Sequence, residues 1–266
     1  MYSKAIFISI TAFCIHTTVS AQKLPNKQEV SLGIPANVKI NGKADEWDGQ
    51  FEAYNSATQL NYTLANNDKE LYVIVNSTEN VIIGKILQFG ITVTLSPATK
   101  GDKKMSVTYP LEKRVTGVTS VLFPNPTITD SLAAQMNAMF MADAKEMRIK
   151  GVKDITEEEI SVYNAFDIRT AAAFGAPRSY TCEFAIPLKY IDMEGKTGES
   201  LKFDIQINGP SENPFANKAV KETPDGKYFV ITPANDDKNN TIVMLLTETY
   251  HAMTAPYSFS GIYKLL

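Results

Sequence analysis

Two histidines occur in 266 residues, His16 and His251. The first lies in an apolar leader, so His251 is the one imidazole left for a site. That excludes multi-histidine zinc centres and facial triads. A Ser-His-Asp triad would have to use His251, yet no Gly-x-Ser-x-Gly elbow supplies its serine. Gly195-Lys196-Thr197 has the ending of a phosphate loop, but Tyr190 stands where that motif needs its first glycine, so the segment reads as an ordinary turn. Carboxylate chemistry needs only two acids about 5 to 10 Å apart. Asp45 and Glu46 are the most focused pair, but neighbours on an extended chain point to opposite faces and would not flank one bond. Cys182 shares a strand face with Tyr180, Phe184 and Ile186 and has no basic neighbour, so it reads as a small core side chain rather than an activated thiolate. Asn235-Asp236-Asp237-Lys238-Asn239-Asn240 is rich in oxygen ligands without EF-hand spacing, so it reads as a solvated turn and no metal is expected there. What remains is binding: Phe215, flanked by Asn213 and Asn217, is an aromatic on which a sugar ring could stack, with amides beside it for hydroxyls. A structural role, pinning its loop, is the stronger reading of Phe215 alone.

The elements that would position these residues are strands. Leu60, Tyr62 and Leu64 alternate, as do Leu71, Val73 and Val75, with a hairpin at Asn66-Asn67-Asp68; Tyr72 and Ile74 make the second strand apolar on both faces, as in the middle of a sheet. Further strands are expected at 90–95, 105–109, 147–152, 160–168, 180–186, 201–207, 228–232, 242–246 and 258–265. The chain therefore reads as an all-β, antiparallel β-sandwich of the jelly-roll or immunoglobulin-like two-sheet kind. One helix of about four turns is expected over 130–146, capped by Thr129 or Asp130, with Met136, Met139, Met141 and Met147 filling gaps in the core. A short helical turn is expected at Thr156, where Glu159 completes a capping-box spacing. The stretch 208–226, with Pro210, Pro214 and Pro224, reads as a long irregular loop.

Ile40-Asn41-Gly42-Lys43-Ala44-Asp45-Glu46-Trp47, Glu70-Leu71-Tyr72-Val73-Ile74-Val75 and Glu183-Phe184-Ala185-Ile186-Pro187-Leu188 together resemble the carbohydrate-binding family 9-like (DOMON-related) domain. That family carries I-x-G-x-x-D-E-W, L-Y-V-x-V and E-x-A-I-P-L at the corresponding places. The resemblance implies a secreted β-sandwich that binds carbohydrate without catalysis, in polysaccharide recognition or catabolism. In the octet itself, Asn41-Gly42 is expected to form a turn, Asp45 or Glu46 to satisfy nearby backbone donors, and Trp47, the only tryptophan, to plug one end of the sandwich. Sugar-binding members clamp their ligand between paired tryptophans and often carry structural calcium. A clamp here would have to be built from Tyr109, Phe215, Tyr250 and Tyr257. Related sandwiches bind b-type haem through methionine and histidine or lysine, but His251 and Met253, two apart on a strand, would share a face and could not take opposite sides of one haem. No cofactor is expected beyond structural calcium.

Residues 1–21, with Lys4, an apolar run over 5–15 and Ala21, read as a secretory signal peptide, the run being well short of the about 20 residues a spanning helix needs. Residues 22–266 are then expected to form one extracytoplasmic domain, in the periplasm or at the cell surface. A formal charge of −3 gives no reason to expect nucleic acid. With Cys14 in the leader, Cys182 has no disulfide partner, and the core alone must hold the fold. The expected partner is a glycan or small sugar; the alternatives are a protein-interaction subunit of an envelope assembly and, less favoured, an extracytoplasmic glycoside hydrolase.

Overall fold

The computed structural model describes residues 24–99, 103–111, 127–233 and 243–266. The signal peptide and the oxygen-rich run 235–240 lie outside the described residues. Two six-stranded sheets face each other, and a small three-stranded sheet stands apart from them. The first runs in the order β1 (Leu32–Gly33), β3 (Leu60–Asn66), β4 (Glu70–Ser77), β10 (Ser179–Pro187), β9 (Arg169–Gly175), with β2 (Ala53–Asn55) also on β3. The second runs β15 (Tyr257–Lys264), β11 (Ser200–Ile207), β5 (Ile91–Pro97), β6 (Met105–Tyr109), β7 (Glu146–Lys150), β8 (Glu159–Ser161). Among the described pairings, only β1 with β3 is parallel. The expected antiparallel β-sandwich is what the chain forms.

Period-two alternation sorts side chains between the faces. Tyr62, Leu64, Leu71, Val73, Tyr180, Phe184 and Ile186 of the first sheet meet Val93, Leu95, Val107, Ile149, Leu201, Ile205 and Ile207 of the second in one continuous core. Cys182 is fully buried there, and burial beside Glu183 pushes its thiol well above the usual range, as a core cysteine requires. Among the described residues three helices complete the layers: α1 (Asn80–Phe89), α2 (Asp130–Asp143) and α3 (Thr247–Thr254). α2 starts where expected, the Thr129 hydroxyl accepting from the Leu132 N–H at 3.2 Å. Its Met136 and Phe140 are buried, whereas Met141 is exposed. The Phe140 ring meets Tyr109, Phe174 and Tyr180 edge-on at 6.1, 6.3 and 5.9 Å, so it is the knob that seats the helix on the core.

The expected helical turn at Thr156 does not form; residues 155–157 run irregularly into β8. β8 occupies only the start of the strand expected over 160–168, and the following strand is β9. Part of the expected loop 208–226 is β12 (Lys218–Glu222), which with β13 (Tyr228–Pro233) and β14 (Val243–Leu246) makes the small sheet. α1 and α3 were not expected. His251 and Met253 sit on α3 rather than on a strand, so the shared-face argument against a haem does not apply as made. Lys85 fastens α3: with 3% of its surface exposed, its ammonium donates to the Ala252 and Ala255 carbonyls at 2.6 and 2.5 Å and lies over the Tyr257 ring. Burial lowers its pKa to about 8.

Truncating the knob tests this packing: Phe140→Ala should cost about 3 to 5 kcal/mol in urea unfolding, while Met141→Ala one residue on should stay within about 0.5 kcal/mol.

Candidate functional site

The outer face of the first sheet is divided. Its lower part, Ala65, Tyr72 and Ala185, is covered by Leu32, Ile34, Val38, Ile40 and Trp47. Trp47 therefore packs on the outside of the sheet, not at the end of the sandwich as expected, and it belongs to a 3-10 turn, Asp45–Trp47. The octet is fastened by a residue of another motif. Glu183 Oε2 accepts from the Asn41 and Gly42 N–H groups at 2.8 and 2.7 Å. The backbone donors of the turn are thus satisfied by Glu183, not by Asp45 or Glu46. Gly42 has φ +80°, and a Cβ there would lie 2.3 Å from the Ala172 carbonyl carbon. The motif's glycine is required both by its backbone region and by the approach of one backbone to another.

Beyond the turn the same face stays open. By register Asn61, Asn76, Thr181 and Ala173 lie in one row across four strands. The Asn61 amide donates to Asn76 Oδ1 at 3.4 Å, and the Asn76 amide to Thr181 Oγ1 at 3.0 Å. Asn76 and Thr181, 7% and 5% exposed, help form the floor of a cleft of about 800 Å³. Around it stand Lys43, Asp45, Asp48 and Phe51 from the turn and its continuation, Asp130 and Asn137 from α2, and Ser179 from β10. Asp45 and Glu46 diverge because of the 3-10 turn: Asp45 is exposed in the cleft lining, while Glu46 Oε2 is buried. Asp48 reaches the cleft from a left-handed conformation, φ 52°, a backbone cost that recurs at binding sites. Among the described residues no ion pair engages Lys43, Asp45, Asp48 or Asp130. Asn137 fixes the helix wall: its amide donates to the Phe174 carbonyl at 3.0 Å and its Oδ1 accepts the Phe174 N–H at 2.7 Å, so a side chain pairs with the edge of β9 as a further strand would.

The chain matches no protein-family model and no curated protein. Among solved structures it is similar to a carbohydrate-binding module of family 9 from Caldicellulosiruptor kristjanssonii in complex with glucose, at 13% identity over 89% of this chain and 95% of that one, with a TM-score of 0.32. The fold described above rests on this chain's own strand pairing.

None of the ligand-binding residues put forward from the sequence lines this cleft, although Asp45 of the carboxylate pair does. Tyr109 is a core residue, 4% exposed, its hydroxyl donating to the Ala144 carbonyl at 3.1 Å, and burial drives that phenol well above its ordinary range. It cannot be a surface platform. Phe215 and Tyr250 are brought together, but face to face at 5.5 Å, and Tyr250 is stacked on Phe229 at 4.0 Å on its other side. Both faces of Tyr250 are spent within the protein, and Phe215 pins the loop to α3. Asn213 accepts the Phe215 N–H at 2.9 Å as part of that loop; Asn217 is exposed beside it. Tyr257 lies under the Lys85 ammonium at 4.8 Å. The cleft residues that sequence reasoning missed include Asn76, one position beyond the strand recognised over 70–75, and Thr181, inside the strand recognised over 180–186; the signal was a polar side chain that continues the outer series Tyr72, Ile74 of β4 and a Thr beside Glu183 in that of β10.

The seating of the turn gives a paired prediction. Gly42→Ala should destabilise by about 2 to 4 kcal/mol, combining left-handed strain with a backbone clash. Gly49→Ala, with φ +66° and nothing within 4 Å of the added methyl, should cost only the strain, about 1 to 2 kcal/mol. Equal losses in chemical denaturation would contradict the close approach described.

Proposed function

We propose that the protein is a non-catalytic, extracytoplasmic carbohydrate-binding module whose ligand sits in the cleft between the Trp47 turn and α2. The observation that carries this reading is the cleft floor. Asn76 and Thr181 are nearly buried, joined by one hydrogen bond, and present further hydrogen-bonding capacity to a space large enough for a small ligand. The lining is mostly Gly, Ala, Asx, Ser and Thr with two aromatics, Phe51 and the buried Phe174. Such a surface suits a polyhydroxylated ligand better than an apolar one, because each hydroxyl removed from water finds a partner. The resemblance of the three strand and turn motifs to the carbohydrate-binding family 9-like domain supports the same class, and the leader over 1–21 supports export of the single domain that follows. The binding groups proposed are Asn76, Thr181, Asp45, Asp48, Asp130 and Phe51, in place of the sequence-derived aromatic set.

A second reading, a protein-interaction subunit, is favoured by one feature: β14 is an edge strand on which Met244 and Leu246 are 59% and 55% exposed.

Affinity electrophoresis against a panel of soluble polysaccharides and oligosaccharides tests the first reading. One glycan class should retard the protein. Asn76→Ala and Phe51→Ala should each weaken that interaction about tenfold, the worth of one hydrogen bond or contact of roughly 1.4 kcal/mol, and Phe215→Ala should leave it unchanged. Uniform mobility across the panel, with a fixed protein partner on co-purification, would replace this reading with the second.

A further inference from the structure

The contact between the Trp47 turn and the sheet contains three buried polar atoms without a partner: Glu183 Oε1, Glu46 Oε2 and Trp47 Nε1. Glu183 is 1% exposed, and by register Ile74 and Ala171 flank it on the neighbouring strands. One of its oxygens is held by the turn's N–H groups; the other faces no donor. We propose that Glu183 is a pH-sensitive latch for the cleft wall: carrying a proton it seats the Trp47 turn on the sheet, and once ionised it sets a buried negative charge beside Glu46 and releases the turn.

The groups that act on Glu183 come from each element packed on it. The turn contributes the Asn41, Gly42 and Lys43 backbone N–H groups, which favour the anion, and Glu46, which opposes it. β4 contributes the Tyr72 phenol, and β10 itself the neutral Cys182 thiol. On β9 the cation of the same face, Arg169, is committed elsewhere, to Glu70 at 2.8 Å and to the Tyr72 hydroxyl at 3.4 Å. Burial is the largest influence, and the N–H groups do not offset it together with Glu46: the pKa rises from 4.5 to about 7. A carboxyl with a raised folded-state pKa binds more protons folded than unfolded between those two values. Its contribution to stability is therefore complete below pH 4.5 and is lost as pH rises through about 7. The neutral acid can still accept both N–H groups on its carbonyl oxygen while offering its O–H to the unpartnered side. The anion has a charge-assisted contact on one oxygen and nothing on the other.

The turn lines the cleft through Gly42, Lys43, Ala44 and Asp45, so under the function proposed above the latch would set ligand affinity; its own test does not depend on that reading. Trp47 is the only tryptophan and sits beside Glu46 in the turn, so intrinsic fluorescence reports this one contact. Between pH 5 and 9 the Trp47 emission should shift reversibly to longer wavelength with a midpoint near 7. Glu183→Gln keeps an oxygen for the two N–H groups and adds an amide donor on the orphaned side, and it should abolish the transition. Glu46→Gln removes the charge that opposes ionisation of Glu183 and should move the midpoint to lower pH. A flat wild-type trace, or an unchanged transition in Glu183→Gln, would overturn the latch. Failure to bind any glycan would leave this fluorescence result untouched and would count against the proposed function alone.

Discussion

One carboxylate oxygen joins the two halves of the outer sheet face. Glu183 Oε2 receives the N–H groups of Asn41 and Gly42, 142 and 141 positions away in sequence, and so decides where the amino-terminal segment lies. The anchoring residue is on β10, a strand hydrogen-bonded on both sides, to β4 and to β9. The anchored residue is a glycine pressed against the β9 backbone.

That placement creates the division between covered and open surface. Residues Leu32 to Trp47 shield Ala65, Tyr72 and Ala185 from water, which allows those apolar side chains to stand on the outer face of the central strands. Where the segment turns away, the same strands change to Asn76 and Thr181, and a cleft begins. α2 closes the other side because Phe140 is buried in the core and Asn137 pairs with the edge of β9. The cleft is thus a consequence of three fastenings, by Glu183 on β10 and by Phe140 and Asn137 on α2.

How far the fold could be read along the chain follows from how local its signals are. β11 alternates cleanly and β4 is a short continuous apolar run, both local signals of strands that face one core. β9, Arg-Thr-Ala-Ala-Ala-Phe-Gly, carries three alanines where a strand usually has branched residues; its outer face is where the Gly42 backbone comes down on Ala172 and Ala173, while the Ala172 side chain faces the core. α1 was hidden inside an apolar run, Val-Ile-Ile-Gly-Lys-Ile-Leu-Gln-Phe, whose length suits helix or strand equally. α3 has few apolar residues of its own, and is held by Lys85 from a distant element. The proposed aromatic platform failed for a related reason: residue type marks an aromatic as able to stack, but Phe215 and Tyr250 stack on the protein itself.

The sequence by itself determined the two-sheet architecture, the buried faces of the central strands, the capped helix α2 and the narrowness of the chemistry open to a chain with so few histidines and cysteines. These depend on short-range periodicity and on which functional groups are present at all. Only the tertiary structure decided that the acid of one motif holds the glycine of another, that Trp47 lies outside the sandwich, and that the open polar surface is at Asn76 and Thr181 rather than at the conspicuous aromatics. Those outcomes depend on which distant strands become neighbours, and a carboxylate's partner, unlike its charge, is fixed only when the backbones that carry both have met.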